Sequence, residues 1–448
     1  MHKNNHRSLR RHLSMMLVVV FIMSGSIFFS GCMRISSAWR EITGNISGAD
    51  DDVMAVGQRL SEIELVQLLT NAVRGDAELP AYYNSISVRQ LDGLTLDEFQ
   101  QYIRFLRRGI SGDVHSFTVM SESELIQNQE DMIAAVPQFQ ELIEASSAYQ
   151  IIYRQSGKSD EKFAVYFQQA EDGSVYLSSV WIRQILKLNA YATLYFDAID
   201  SSDTEALAYL LDQSNPNSPV ILAKAEFLID FYKNNISSRT SEYSLKSARI
   251  DNISYDQFGI VNLDGTQSVS RTVSFHIDQQ EQLNARDKIV NVLNVEDLAV
   301  YRNDQLLFTL AERDDDRYVR TWSYRLEQAT GLPFEHDDGN CKPYGDGVSL
   351  MNLVYNGLKI SVQGDCQEHK SWNGIVRSAS LIDTNYHTGS GLRPGMSEDE
   401  LLVRYPFAAE SGYRLRFASA GGTVSMNVIL ENKTIDRIEL SFIPLESY

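Results

Sequence analysis

Three cysteines and eight histidines are the side chains of this 448-residue chain best suited to covalent or metal chemistry. Cys32 stands at the exit of an apolar run, whereas Cys341 and Cys366 flank the apolar segments Leu350–Tyr355 and Gly357–Val362. No two cysteines are separated by only two or three residues, so a thiolate zinc site has no support. In an oxidising compartment Cys341 and Cys366 can form a disulfide worth about 3 kcal/mol, or remain two thiols; the sequence leaves both open. His115, His276, His336, His369 and His387 follow the apolar run, and none of these five stands in a His-x-x-x-His or His-Glu-x-x-His spacing. His336-Asp337-Asp338, close to Gly339, Cys341 and Pro343, reads as a solvated turn rather than a metal site. Neither a Gly-x-Ser-x-Gly elbow nor a Walker-type loop occurs. The expectation is therefore no catalytic residue, no metal and no cofactor, with enzymatic activity undecided and disfavoured.

The chemistry open to Cys32 follows from what precedes it. Lys3, Arg7, Arg10 and Arg11 lead into the apolar run Leu13–Phe29, which closes on Phe29-Ser30-Gly31-Cys32. A charged start, an apolar stretch of secretory length and small residues at its exit predict a secretory signal over residues 1–31. An uncleaved membrane span and a non-lipidated signal compete with this reading, and Gly31-Cys32 separates it from both. The stretch resembles the bacterial lipoprotein signal, in which lipid is attached to the cysteine thiol, the peptide is cut before it, and the new N-terminus is acylated. That resemblance implies that Cys32 is lipidated and palmitate-like chains anchor the protein. Its place would be the extracytoplasmic face of a bacterial cell membrane, or the outer membrane of a diderm. Each buried methylene contributes about 0.8 kcal/mol, so two or three chains hold where one holds only marginally.

Composition bounds the rest. With 43% hydrophobic and 22% charged residues the chain is ordinary globular material, and its length suggests about three domains. Loss of the four leader cations would take the formal charge from −19 to about −23. Such a surface repels nucleic acid and anionic lipid heads, which excludes nucleic acid as a partner, and it favours solubility after export.

Hydrophobic spacing then places the elements. Residues 32–57 read as a polar tether. Helices are expected at Gln58–Arg74 and from Thr95, whose hydroxyl and Glu98 form a capping box. Another, Glu122–Ala145, breaks at Pro137. Strands are expected at His115–Met120, Ala148–Arg154, Lys162–Gln169 and Ser174–Ile182. The pattern then repeats: helices at Ile185–Ile199, Thr204–Leu211 and Pro219–Asn234 precede strands at Glu242–Ile253, Gln257–Leu263, Ser268–Asp278 and Asp297–Leu310. An offset of 126 lays Ala72 on Ala198, Phe99 on Ala225, Tyr102 on Leu228, Ile103 on Ile229 and Phe117 on Tyr243. Two tandem copies of one domain account for this, and a single larger α+β domain is the rival account.

The segment Tyr195-Phe196-Asp197-Ala198-Ile199-Asp200-Ser201-Ser202-Asp203-Thr204-Glu205-Ala206-Leu207, a long helix and a run of strands resemble the nuclear-transport-factor-2-like, cystatin-type cone over Gln58–Glu312. Cone-type enzymes use an Asp or an Asp–His pair in an apolar pocket; Asp197 and Asp200 lie on the entrance helix, and no catalytic role is assigned to them. After Asp314-Asp315-Asp316, a helix at Trp322–Thr330 and paired strands follow. The order Gly395-Met396-Ser397-Glu398-Asp399-Glu400-Leu401-Leu402, Tyr405-Pro406 and three strands resembles the helix-on-sheet module of envelope lipoproteins of the outer-membrane-assembly and β-lactamase-inhibitor-protein kind, over Leu392–Phe442. That module implies an exposed sheet face that contacts another envelope protein.

The expected fold class is α+β: two tandem helix-on-curved-antiparallel-sheet domains, 58–184 and 185–313, followed by a smaller α+β antiparallel-sheet domain, 314–448. The expected role is a membrane-anchored envelope lipoprotein acting as a binding or interaction scaffold. The alternative is a lipid-anchored small-ligand binder, or an enzyme with its site in a cone pocket. The small-molecule ligand is open in either case.

Overall fold

The computed structural model describes residues 59–444 apart from 76–78, 111, 155–156, 158, 236–243, 258–259, 262–266, 269–270, 288–292, 311–320, 333, 338–341, 344–348, 366–372 and 420–421. It is an α+β protein built on antiparallel sheets, the fold class expected from the sequence. Ser/Thr-x-x-Glu steps start several of its helices. Ser61 and Glu64 cap Glu62–Arg74, Thr95 and Glu98 cap Leu96–Arg107, and Ser397 and Glu400 cap Glu398–Arg404, each pair satisfying amides that the first turn leaves open. The apolar stripes of Glu62–Arg74 and Leu96–Arg107, Leu65, Leu69 and Ala72 with Phe99, Tyr102, Ile103 and Leu106, are buried.

The strands β1 (Asp113–Val119), β2 (Ser146–Arg154), β3 (Glu161–Gln169) and β4 (Val175–Tyr176) form a meander in that order. Helices Glu122–Ala135 and Gln140–Glu144 sit between β1 and β2, parted by a 3-10 turn that Pro137 opens. The strand expected at Ser174–Ile182 stops at Tyr176. The Ser178 hydroxyl accepts from the Trp181 amide at 3.3 Å and starts the 23-residue helix Ser179–Ser201, so local capping overrides the β-forming composition of this stretch. Helices Thr204–Leu211 and Pro219–Asn235 follow.

A second meander comes next, from β5 (Ser244–Ala248), β6 (Asn252–Gln257), a small ribbon of β7 (Ile260–Val261) and β8 (Gln267–Ser268), then β9 (Arg271–Ile277) and β10 (Leu283–Asp287). The main strands pair in the order β10-β9-β6-β5. The strand expected at Glu242–Ile253 is two strands, because Arg249-Ile250-Asp251 turns the chain and the Arg249 amide donates to the Asn252 carbonyl at 2.7 Å. Of the positions that the 126-residue offset pairs, Ala72 and Ala198, Phe99 and Ala225, Tyr102 and Leu228, and Ile103 and Ile229 are all buried; Tyr243 lies outside the described residues. One continuous core runs from Leu65 to Ile277 through both meanders, and the position between 184 and 185 falls inside the Ser179–Ser201 helix.

A second core takes in Leu293 to Phe442. Its strands are β11 (Ala299–Arg302), β12 (Gln305–Thr309), β13 (Thr321–Ser323), β14 (Phe334–Asp337), β15 (Lys342–Pro343), β16 (Ser349–Tyr355), β17 (Leu358–Asp365), β18 (Asn373–Leu381), β19 (Tyr386–Thr388), β20 (Arg414–Ser419), β21 (Gly422–Glu431) and β22 (Thr434–Pro444). A nine-stranded sheet follows the path β14-β16-β17-β18-β22-β21-β20, with β13 on β18 and β15 on β16; β12, β11 and β19 form a separate three-stranded sheet. The β11–β12 hairpin packs into this second core, so the C-terminal body takes up chain from Leu293 onward, ahead of residue 314. Phe407 leaves it to join the first core, 5.5 Å from Phe227, and Glu410 pairs with Lys224 at 2.6 Å beside it.

Candidate functional site

A group of buried polar side chains lies where the two meanders meet. On β3, Tyr166 and Gln168 are two residues apart and so share a face. The Ser178 cap and the Asp92 carboxylate, which accepts from the Ser179 amide at 3.1 Å, fix the first turn of the Ser179–Ser201 helix. That turn carries Trp181, stacked on Tyr166 with ring centroids 5.1 Å apart, and Gln184 stands three residues on, along the same side of the helix. The β5–β6 turn brings Arg249 and Asp251, joined at 2.9 Å, and the Arg249 guanidinium also faces Asp131 of the Glu122–Ala135 helix at 3.9 Å. Both charges act on the Tyr166 phenol, which burial pushes up to about 12.

Several of these groups are buried without a hydrogen-bond partner among the described residues. They are both amide atoms of Gln168 (1% exposed), Nε1 of Trp181 (2%), Nε2 of Gln184 (8%) and Oδ1 of Asp251 (4%). A buried polar group left unpaired costs about 1–3 kcal/mol, so each of these five atoms is one that a partner would stabilise.

Burial also pushes the Asp251 carboxyl above the usual aspartate range, against the pull of Arg249. For an acid whose folded pKa is raised, the stabilising contribution is complete below the unfolded value and is lost as pH rises through the folded one. Asp251→Asn, which cannot ionise, is therefore expected to gain on the wild type between pH 4 and pH 7. Paired thermal melts at the two pH values check this; a constant difference would contradict it.

A second buried carboxylate, Asp287 on β10, accepts from the Tyr232 hydroxyl at 2.9 Å and the Tyr195 hydroxyl at 3.3 Å. Edge-to-face rings surround it: Tyr195 and Phe196 each lie 5.3 Å from Phe275, with Tyr191 at 5.9 Å. Burial holds the Tyr191 and Tyr255 phenols well above their ordinary range, and their hydroxyls donate to the Leu210 carbonyl and to Asn189 at 2.7 Å each. The group knits the helices to the second meander. Asp197 and Asp200, the acids noted on the entrance helix, are exposed.

The structure places the other sequence-noted residues apart. His115 is exposed on β1. His276 on β9 is half-buried, and burial together with Arg286 holds its imidazole below the usual range. His387 stacks on Tyr301 at 5.2 Å, with Asp304 at 3.5 Å. His336 lies on β14. His369, Cys32, Cys341 and Cys366 lie outside the described residues. Among the described residues no three His, Cys, Asp or Glu side chains gather as a metal site, and no helix is long and apolar enough to cross a membrane. The sequence pointed to neither Asp251 nor Asp287; the Arg-x-Asp in the supposed strand Glu242–Ile253 was the available sign of a turn, while Gln168 inside an apolar strand carried no distinguishing signal.

A third feature is the outer face of the nine-stranded sheet. The inner face buries Leu353, Ile360, Val376, Leu440 and Met426. On the opposite face the register sets Asn352, Ser361, Ser378, Ser441, Ser425 and Arg416 in one row across six strands. Lys359, Ser380, Glu439, Asn427 and Arg414 form the next row. Every one of these side chains is exposed or half-exposed.

Compared with protein-family models, with curated proteins and with solved structures, the chain finds no match.

Proposed function

We propose that this protein is a lipid-anchored binding protein of the bacterial envelope, tethered through Cys32 on the extracytoplasmic side and engaging a protein partner through its C-terminal sheet. The observation that carries the binding role is the two-row polar face, in which serine and asparagine side chains supply donors and acceptors without exposing a large apolar surface. Interfaces of this kind gain specificity from hydrogen bonds and bridging water more than from area. The tether rests on the Phe29-Ser30-Gly31-Cys32 stretch.

Two measurements test the proposal. Cys32→Ala should move the protein from the membrane pellet to the soluble fraction, and retention in the pellet would overturn the lipid tether. A photo-crosslinking residue at Ser378 or Ser425 should give a discrete envelope-protein adduct in cells, whereas one at His115 on β1 should not. Equal adducts from all three positions, or none from the sheet, would overturn the interaction surface.

A further inference from the structure

We propose that the junction between the two meanders is a binding site for a small uncharged molecule bearing both hydrogen-bond donors and acceptors, a polyol or a carboxamide, held by Gln168, Trp181, Gln184 and Asp251. Nine-tenths or more of each side chain is buried, and each holds at least one polar atom without a partner among the described residues. They come from three elements distant in sequence: β3, the start of the Ser179–Ser201 helix and the β5–β6 turn. Tyr166 ties them together, since its ring stacks on Trp181, Gln168 follows it on the same strand face, and the charges of Arg249 and Asp251 reach its phenol.

The ligand class follows from the chemistry on offer. The Trp181 indole N–H and the Gln184 amide can only donate at these atoms, Asp251 Oδ1 offers an acceptor, and the Gln168 carboxamide does both. A molecule satisfying this set must itself accept and donate, which hydroxyl and carboxamide groups do and simple ions do not. Charge points away from anions: the one Arg249 guanidinium is shared between two carboxylates, Asp251 and Asp131. An anion would have to enter without a free counter-charge and would lose its hydration, and a metal cation would face the Trp181 and Gln184 donors.

The site shares no residue with the sheet face or with the Cys32 tether, so its failure and theirs are separable. The test is saturation-transfer NMR on the detergent-solubilised full chain, with glycerol, acetamide and acetate as probes. Glycerol or acetamide should receive saturation from the wild type, and acetate should not. Gln168→Met keeps the side-chain length and deletes both polar atoms; Trp181→Phe keeps a ring on Tyr166 and deletes the N–H. A fall of about tenfold in apparent affinity in either folded variant, the effect of losing one or two directed hydrogen bonds, supports the site. Overturning results are no transfer to glycerol or acetamide in the wild type, unchanged transfer in the folded variants, or acetate bound as well as acetamide. Should the methionine variant fail to fold, the phenylalanine variant decides.

Discussion

Replacing Trp322 with alanine is expected to cost the C-terminal body about 3–5 kcal/mol, the range for removing a fully buried large aromatic. Trp322 lies on β13 opposite Gly374 and is wholly shielded from solvent. Its ring meets Phe308 of β12 edge-on at 5.7 Å and Tyr355 of β16 at 6.3 Å, so one side chain joins the separate hairpin to the large sheet. Each such aromatic pair adds about 0.5–1.5 kcal/mol beyond burial. The indole also donates to the Tyr355 hydroxyl at 3.0 Å, and that hydroxyl donates in turn to the buried carboxylate of Glu327. Alanine removes the packing and the donor together. Trp322→Phe should lose less, since it keeps a ring against Phe308 and gives up only the N–H and part of the volume. Urea denaturation followed by circular dichroism measures both variants, and an alanine variant within about 1 kcal/mol of wild type would refute this account of the core.

How far the sequence disclosed this molecule depends on whether the signal was local. Thr95 with Glu98 and Ser397 with Glu400 are self-contained capping devices, and both helices start where those residues put them. Thr204–Leu211 runs between the residues its apolar spacing indicated. The failures are competitions between local forces. Around Ser174–Ile182 the β-forming residues Val175, Tyr176, Val180 and Trp181 argued for a strand, yet a hydroxyl at 178 and the distant carboxylate of Asp92 assemble a helix start. The Arg249–Asp251 turn was hidden for a similar reason, because Leu245, Ala248, Ile250 and Ile253 kept an apolar rhythm across it. The candidate sites were the least legible part. Asp287 gains its meaning from Tyr195 and Tyr232, 92 and 55 residues away, and Tyr166 from Trp181 on another element; no spacing rule joins such residues before the chain has folded. The serine row is intermediate: the alternation in each strand was visible, but the registers that align Ser361, Ser378, Ser441 and Ser425 were not.

Gly389→Ala is expected to be almost as damaging as the loss of Trp322, for the opposite reason. Gly389 follows β19, and its amide donates to the Ala299 carbonyl at 3.0 Å. A Cβ there would overlap the Glu296 carbonyl oxygen and lie 2.8 Å from the Glu296 carbonyl carbon. Both atoms are backbone of the 3-10 turn Val295–Leu298, whose Leu298 is fully buried, so no side-chain rotation relieves the clash. The chain must either move β19 off β11 or lift the turn from the core. Overpacking against a fixed neighbour costs typically up to about 3 kcal/mol, and a backbone neighbour puts this case at the upper end. The seam should open locally first. Amide hydrogen exchange at Val300–Arg302, which pair with Tyr386–Thr388, should accelerate before exchange in β21 and β22 does. Gly75→Ala is the matching control: a Cβ at Gly75 meets nothing within 4 Å, and the change should stay within about 0.5 kcal/mol of wild type. Equal stability of the two variants would mean that the close approach of Gly389 to the turn does not hold the three-stranded sheet in place.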